Sequence, residues 1–160
     1  MNLTRADVAL LGRRALQPAR EGAELLALFV AGKLVNTKNA RLHWGTEAKY
    51  KAGWRDAVAQ VVLEASARQP LTVVWLRHNP AIPKRVTLHA TVPRELDPDG
   101  LIVALAPALD GLGARFGVGF LHDDRASAGH LVEYGQTVDR KASAGVRIGV
   151  SLREPAVGPQ

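Results

Sequence analysis

The chain has 160 residues, 47% of them apolar and 22% charged, with no cysteine and a net charge of +6. That length and balance suit one globular domain, and the lack of cysteine excludes a disulfide framework, a thiolate zinc site and a thiol nucleophile. No apolar run reaches the roughly 18 residues of a membrane span, and no basic-then-apolar leader is present, so no membrane association and a cytoplasmic location are expected.

In chain order, "TRADVALLGRRAL" (4–16) predicts a short helix. Thr4 caps it, Leu3, Val8, Leu11 and Leu16 form its apolar face, and Gln17-Pro18 ends it. Residues 1–24 are read as an N-terminal helical extension for packing or dimer contact, with a nucleic-acid arm as the alternative. The apolar run "AELLALFVAG" (23–32) predicts a buried strand over 25–31. A basic loop follows, broken by Asn36, Asn39 and Gly45. The spacing of Tyr50, Trp54, Ala57, Val58, Val61 and Val62 predicts a helix over 46–68, capped by Thr46 and closed by Pro70.

Residues 71–78 and 84–94 read as two strands of an antiparallel hairpin across "NPAIP". In the second, Val86, Leu88, Ala90 and Val92 alternate with Arg85, Thr87, His89 and Thr91. "DPDG" (97–100) leads into a helix over 100–112. "VGFLHDD" (118–124) is apolar until its acidic end, 130–140 and 145–153 read as a closing pair of strands, and 154–160 is a flexible tail. The expected fold is α+β: a small mixed sheet of about five strands, two core helices packed on it, and an extra N-terminal helix. The main domain spans 25–153.

The charges are not evenly spread. Residues 33–56 carry Lys33, Lys38, Arg41, Lys49, Lys51 and Arg55 against Glu47 and Asp56. Residues 77–94 add Arg77, Lys84, Arg85 and Arg94 with no acid. Between 97 and 124 the sign reverses, with Asp97, Asp99, Asp110, Asp123 and Asp124 against Arg115 alone. Basic stretches favour polyanions through phosphate neutralisation, and an acidic cluster within them suits a cation-dependent enzyme acting on phosphates. A chance distribution over solvated faces is the competing account.

Asp97 and Asp99 carry two readings. Asp-Pro and Asp-Gly are common turn dipeptides, and Asp99 stands where a helix cap would stand. Alternatively, aspartates converging from separate loops would hold Mg²⁺, which takes carboxylate oxygens and keeps several waters. Asp110 lies nearly three turns beyond Asp99 on one helix face, about 16 Å away, too far to share an ion. It is read as supporting the site, or as a partner for a base such as Arg115.

The order Asp-x-Asp, apolar helix ending "LDGL", then "LHDD" resembles the RusA family of Holliday junction resolvases, found in phages and prophages. The upstream "NTKNARLHW" and "KYKAGWRDAV" are similar to that family's basic, Asn-containing loop and first core helix. The likeness runs from about residue 28 to residue 153, most of the chain. It implies Asp97, Asp99 and Asp124 as catalytic metal ligands, with Asp123 beside them. It also implies Mg²⁺ (or Mn²⁺), a homodimer and four-way DNA junctions as substrate. Lys38, Arg41, Lys49, Lys51, Lys84, Arg85 and Arg94 are then expected on the DNA backbone. A non-catalytic junction-binding protein on the same scaffold is the alternative. Two departures stand out: Gly100 replaces the family's usual Asn, and 101–109, "LIVALAPAL", lacks its usual Lys. Arg94, Arg115 or Arg125 is the expected substitute for that Lys.

Other chemistries find little support. His122 has no second histidine at ligand spacing, no phosphate-cradling glycine loop exists, and no G-x-S-x-G is present. Trp54 and Trp75 are expected in the core. Trp44, in the basic loop, is the one tryptophan with a base-stacking alternative.

Overall fold

The computed structural model describes residues 23–122 and 129–153. Its elements are β1 (Glu24–Ala31), α1 (Trp44–Arg68), α2 (Pro70–His78), β2 (Lys84–Val92), α3 (Pro98–Asp110), β3 (Leu131–Val138) and β4 (Gly145–Leu152). The expected helix over 4–16 and the tail lie outside the described residues. The α+β class holds, but among the described residues there are four strands rather than five and three helices rather than two, with the mixed sheet in the order β1-β4-β2-β3.

Alternation builds the sheet. Leu26, Leu28 and Val30 on β1 point to one face, as do Val86, Leu88, Ala90 and Val92 on β2 and Val146, Ile148 and Val150 on β4. That face is the core, because period-two spacing puts alternate side chains on one side. The outer face is polar and paired on β2, β3 and β4, while β1 leaves Phe29 exposed there. Arg85 forks onto Glu133 (2.6 and 3.1 Å), Arg147 meets Glu24 (2.7 Å), and His89 bonds Thr137 (2.8 Å).

α1 buries Trp54, Val58, Val62 and Ala65, a stripe at three- and four-residue spacing. It begins two residues earlier than Thr46 suggests. His43 is the cap, its Nδ1 accepting from the Gly45 N–H at 3.3 Å. Glu47 and Lys51 pair one turn apart at 2.6 Å, in the favourable order for a helix.

The largest correction concerns 71–78, which is helical. Pro70 takes the first helical position, where its missing N–H costs nothing. Val73, Trp75 and Leu76 then pack inward. A short run of Val, Trp and Leu has no period that separates strand from helix, and packing against α1 decides it. The hairpin with 84–94 therefore does not form. β2 pairs instead with β4 (antiparallel) and β3 (parallel), and the closing strands β3 and β4 flank β2 rather than each other.

Gly53 lies in the middle of α1, where a Cβ would meet nothing within 4 Å. Glycine costs a helix interior about 1 kcal/mol relative to alanine. Gly53→Ala is therefore expected to stabilise the fold by about 1 kcal/mol, read as a higher urea midpoint with an unchanged slope.

Candidate functional site

β2, α3 and β3 form a crossover in which β2 and β3 run parallel. Asp97 and Asp99 stand beyond the carboxyl end of β2, where the crossover enters α3. Asp97, not Asp99, is the helix cap. Its Oδ1 accepts from the Gly100 N–H at 3.1 Å, and Pro98 takes the first helical position. Its second oxygen is left for other work. Asp99 sits in the first turn of α3, exposed, with no hydrogen bond or ion pair among the described residues.

Two residues outside the expected set hold this corner. Gln136 on β3 clasps the backbone of Leu96, accepting from its N–H at 3.0 Å and donating to its carbonyl at 2.6 Å. The residue before Asp97 is thereby locked to the sheet. Asn36, from the basic loop, brings its side-chain amide against Gly100. A Cβ built on Gly100 would lie 2.5 Å from that amide nitrogen and would collide with Asp97 Oδ1. Gly100 is thus the residue that lets Asn36 approach the first turn of α3 closely. Gly100→Ala gains about 1 kcal/mol of helix propensity but loses about 1–3 kcal/mol to overpacking. A net loss of up to about 2 kcal/mol is expected in urea unfolding, against a gain if the space is open.

Tyr50 ties three elements together. Its hydroxyl accepts from the Val35 N–H (3.0 Å) and donates to the Ala104 carbonyl (3.4 Å), and burial pushes its pKa up. The basic loop is thus fixed over both α1 and the N-terminal half of α3.

The remaining expected residues divide clearly. Asp110 pairs with Arg55 at 3.3 Å, not with Arg115. Arg55 and Arg115 lie against the Phe116 ring, at 4.5 and 4.8 Å from its centre. Arg55, through Asp110 and Phe116, ties α1 to the turn after α3, at the end of α3 remote from Asp99. Arg94 is exposed at the exit of β2, three residues before Asp97. Lys38, Arg41 and Lys49 are exposed, while Lys51 and Arg85 already have carboxylate partners. Trp44 is 77% exposed beside the His43 ring, whereas Trp54 and Trp75 are in the core.

Lys84 is a correction. It is fully buried, and its Nζ donates to the carbonyls of Asn79 (2.6 Å) and Ile82 (2.9 Å). Burial lowers its pKa to about 8. It cannot reach a DNA backbone. The signal was present in the alternation, since Lys84 shares the parity of Val86 and Leu88.

Asp123 and Asp124 lie outside the described residues. Their described flanks are at the other end of the crossover. The His122 N–H donates to the Pro80 carbonyl, and His130 Nδ1 accepts from the Lys84 N–H at the start of β2. Arg85 to Val92 alone spans about 23 Å at strand rise. Among the described residues no group of three or more His, Asp or Glu side chains is gathered to hold a metal ion. Asp97 and Asp99 by themselves suit a hard cation that keeps most of its waters and takes one or two carboxylates.

No family model, curated protein or solved structure matches this chain. Among the described residues no helix is long and apolar enough to cross a membrane.

Proposed function

We propose that this chain is a Mg²⁺-dependent, structure-selective endodeoxyribonuclease of the RusA type. It acts as a homodimer on four-way DNA junctions in a bacterial or phage-infected cytoplasm. The observation that carries the reading is the Asp97-x-Asp99 pair at the carboxyl end of β2, clasped by Gln136 and capped onto α3 beneath a basic loop. A hard cation held by the two carboxylates would polarise a phosphodiester and lower the pKa of a bound water. The protein's own part is to fix the acids rigidly and to surround them with donors. Arg94 at the exit of β2, and Lys38 and Arg41 from the loop, are the exposed bases for holding phosphates.

The dimer has a specific task in this reading: two copies present two equivalent acid pairs, which suits a twofold junction cut at two equivalent places.

The test is a labelled four-way junction incubated with the protein in Mg²⁺ or Mn²⁺ and then in EDTA. Paired nicks in opposed strands that need the cation are expected. A stable gel shift with no nicks in either metal would sink the nuclease reading. It would leave the non-catalytic junction-binding protein, which the absence of any basic residue from 101–109 of α3 favours.

A further inference from the structure

The far end of β1 and the first half of α1 border a shallow, open cleft of about 260 Å³ that the acid pair does not use. Its floor is Trp54 and Tyr50, and Gly32, Gly53, Lys33 and Lys49 line its walls. Gly32 lies flat on the indole, for a Cβ there would be 3.0 Å from Trp54 Cζ2. Gly53 falls one turn beyond Lys49 on the same stripe of α1, and nothing fills the space a side chain there would take. Lys33 and Lys49 are both exposed and have no carboxylate partner among the described residues. Their neighbour Lys51, which is outside the cleft, pairs with Glu47.

We propose that this cleft holds the phosphate and sugar of one nucleotide of a DNA strand, with Lys33 and Lys49 as the two phosphate donors. The inference rests on the DNA-binding part of the reading above and not on catalysis. Two exposed lysines without carboxylate partners on the border of one cleft favour a phosphodiester there, and the bare Gly53 surface lets a sugar approach the helix closely. Recognition is independent of base. Trp54 is 5% exposed, too buried to be a stacking platform, and the Tyr50 hydroxyl is already bonded on both sides. Gly32 and Asn36 are four residues apart, at most about 14 Å of chain, and Asn36 lies against Gly100, at the start of the helix that Asp97 caps. The cleft and the acid pair are therefore close enough for one DNA segment to reach both.

The experiment measures binding in EDTA, by anisotropy of a dye-labelled junction and a mixed-sequence single strand over a salt series. The double variant Lys33→Gln, Lys49→Gln is expected to bind several-fold more weakly. Its log-affinity slope against log salt should fall by about 1.4 on the single strand, the value for two phosphates. Gly53→Phe, which keeps every charge and stands on an exposed helix face, should weaken binding likewise. Arg68→Gln, about 28 Å further along α1, should leave the slope unchanged. An unchanged slope in the lysine variant, full binding by Gly53→Phe, or an equal loss in Arg68→Gln would each overturn the cleft. Cleft-dependent binding without cutting in Mg²⁺ keeps this inference and removes the nuclease. Cation-dependent cutting with no effect of the lysines does the reverse.

Discussion

Asp99→Asn is expected to reduce cation-dependent junction cleavage by roughly 10²–10³-fold, the usual cost of deleting one electrostatic element of a reacting site. Junction affinity in EDTA should hold or rise, since the change removes a negative charge that repels phosphate. The variant isolates chemistry from folding for a structural reason. Asp99 is exposed and has no hydrogen bond or ion pair among the described residues, so its loss breaks no contact there. Asp97 cannot serve the same purpose, because it also caps α3. Losing that cap costs about 1 kcal/mol of stability in its own right. Single-turnover cutting, with circular dichroism as the folding control, decides the matter. A variant that cuts at the wild-type rate removes Asp99 from the site.

Lys84 should make the protein more stable in mild alkali than at neutral pH. Its pKa is about 8 in the folded chain against an ordinary 10.5. Between those values the unfolded chain binds the extra proton, so stability rises with pH across this window and is flat below it. The full difference corresponds to roughly 3 kcal/mol. Lys84→Met removes the titration and fills the same space with apolar atoms. Replacing a buried charge in this way is often neutral or stabilising. Of the carbonyls it abandons, that of Asn79 still accepts from the Ile82 N–H at 3.3 Å. The wild-type stability curve minus that of the variant should therefore climb from pH 8 to pH 10.5. Taking the difference cancels Tyr50, whose raised pKa is common to both proteins. A flat difference would mean that Lys84 is charged at no cost, with its ammonium in solvent.

Much of the fold was readable because repeated spacing carries it. The even-numbered alternation of β2 and the three- and four-residue stripe of α1 leave little choice about which face turns inward. The same alternation held information about Lys84 that its charge obscured. Residues 71–78 were not readable, because a short run of Val, Trp and Leu satisfies a strand as well as a helix. The packing of Val73 and Leu76 beside α1 settled it. At the candidate site the Asp-x-Asp motif was visible, but which aspartate caps the helix was not. Asn36 and Gln136 were also hidden as supports, since they reach the corner from 61 and 39 residues away in sequence from Asp97. Asp110 found Arg55 rather than Arg115 for a similar reason, the partner lying 55 residues distant on another helix.

Local chemistry alone thus determined the α+β class, the inward faces of β1, β2 and β4, and the placing of a turn and helix start at Asp97–Gly100. These follow from periods of two and 3.6 residues and from the backbone preferences of Pro and Gly. The tertiary structure decided the strand order, the helical state of 71–78, the burial of Lys84 and the clasp of Gln136 on Leu96. Each of those depends on which distant segments come to lie side by side, and contact between residues far apart in the chain leaves no period in the sequence to read.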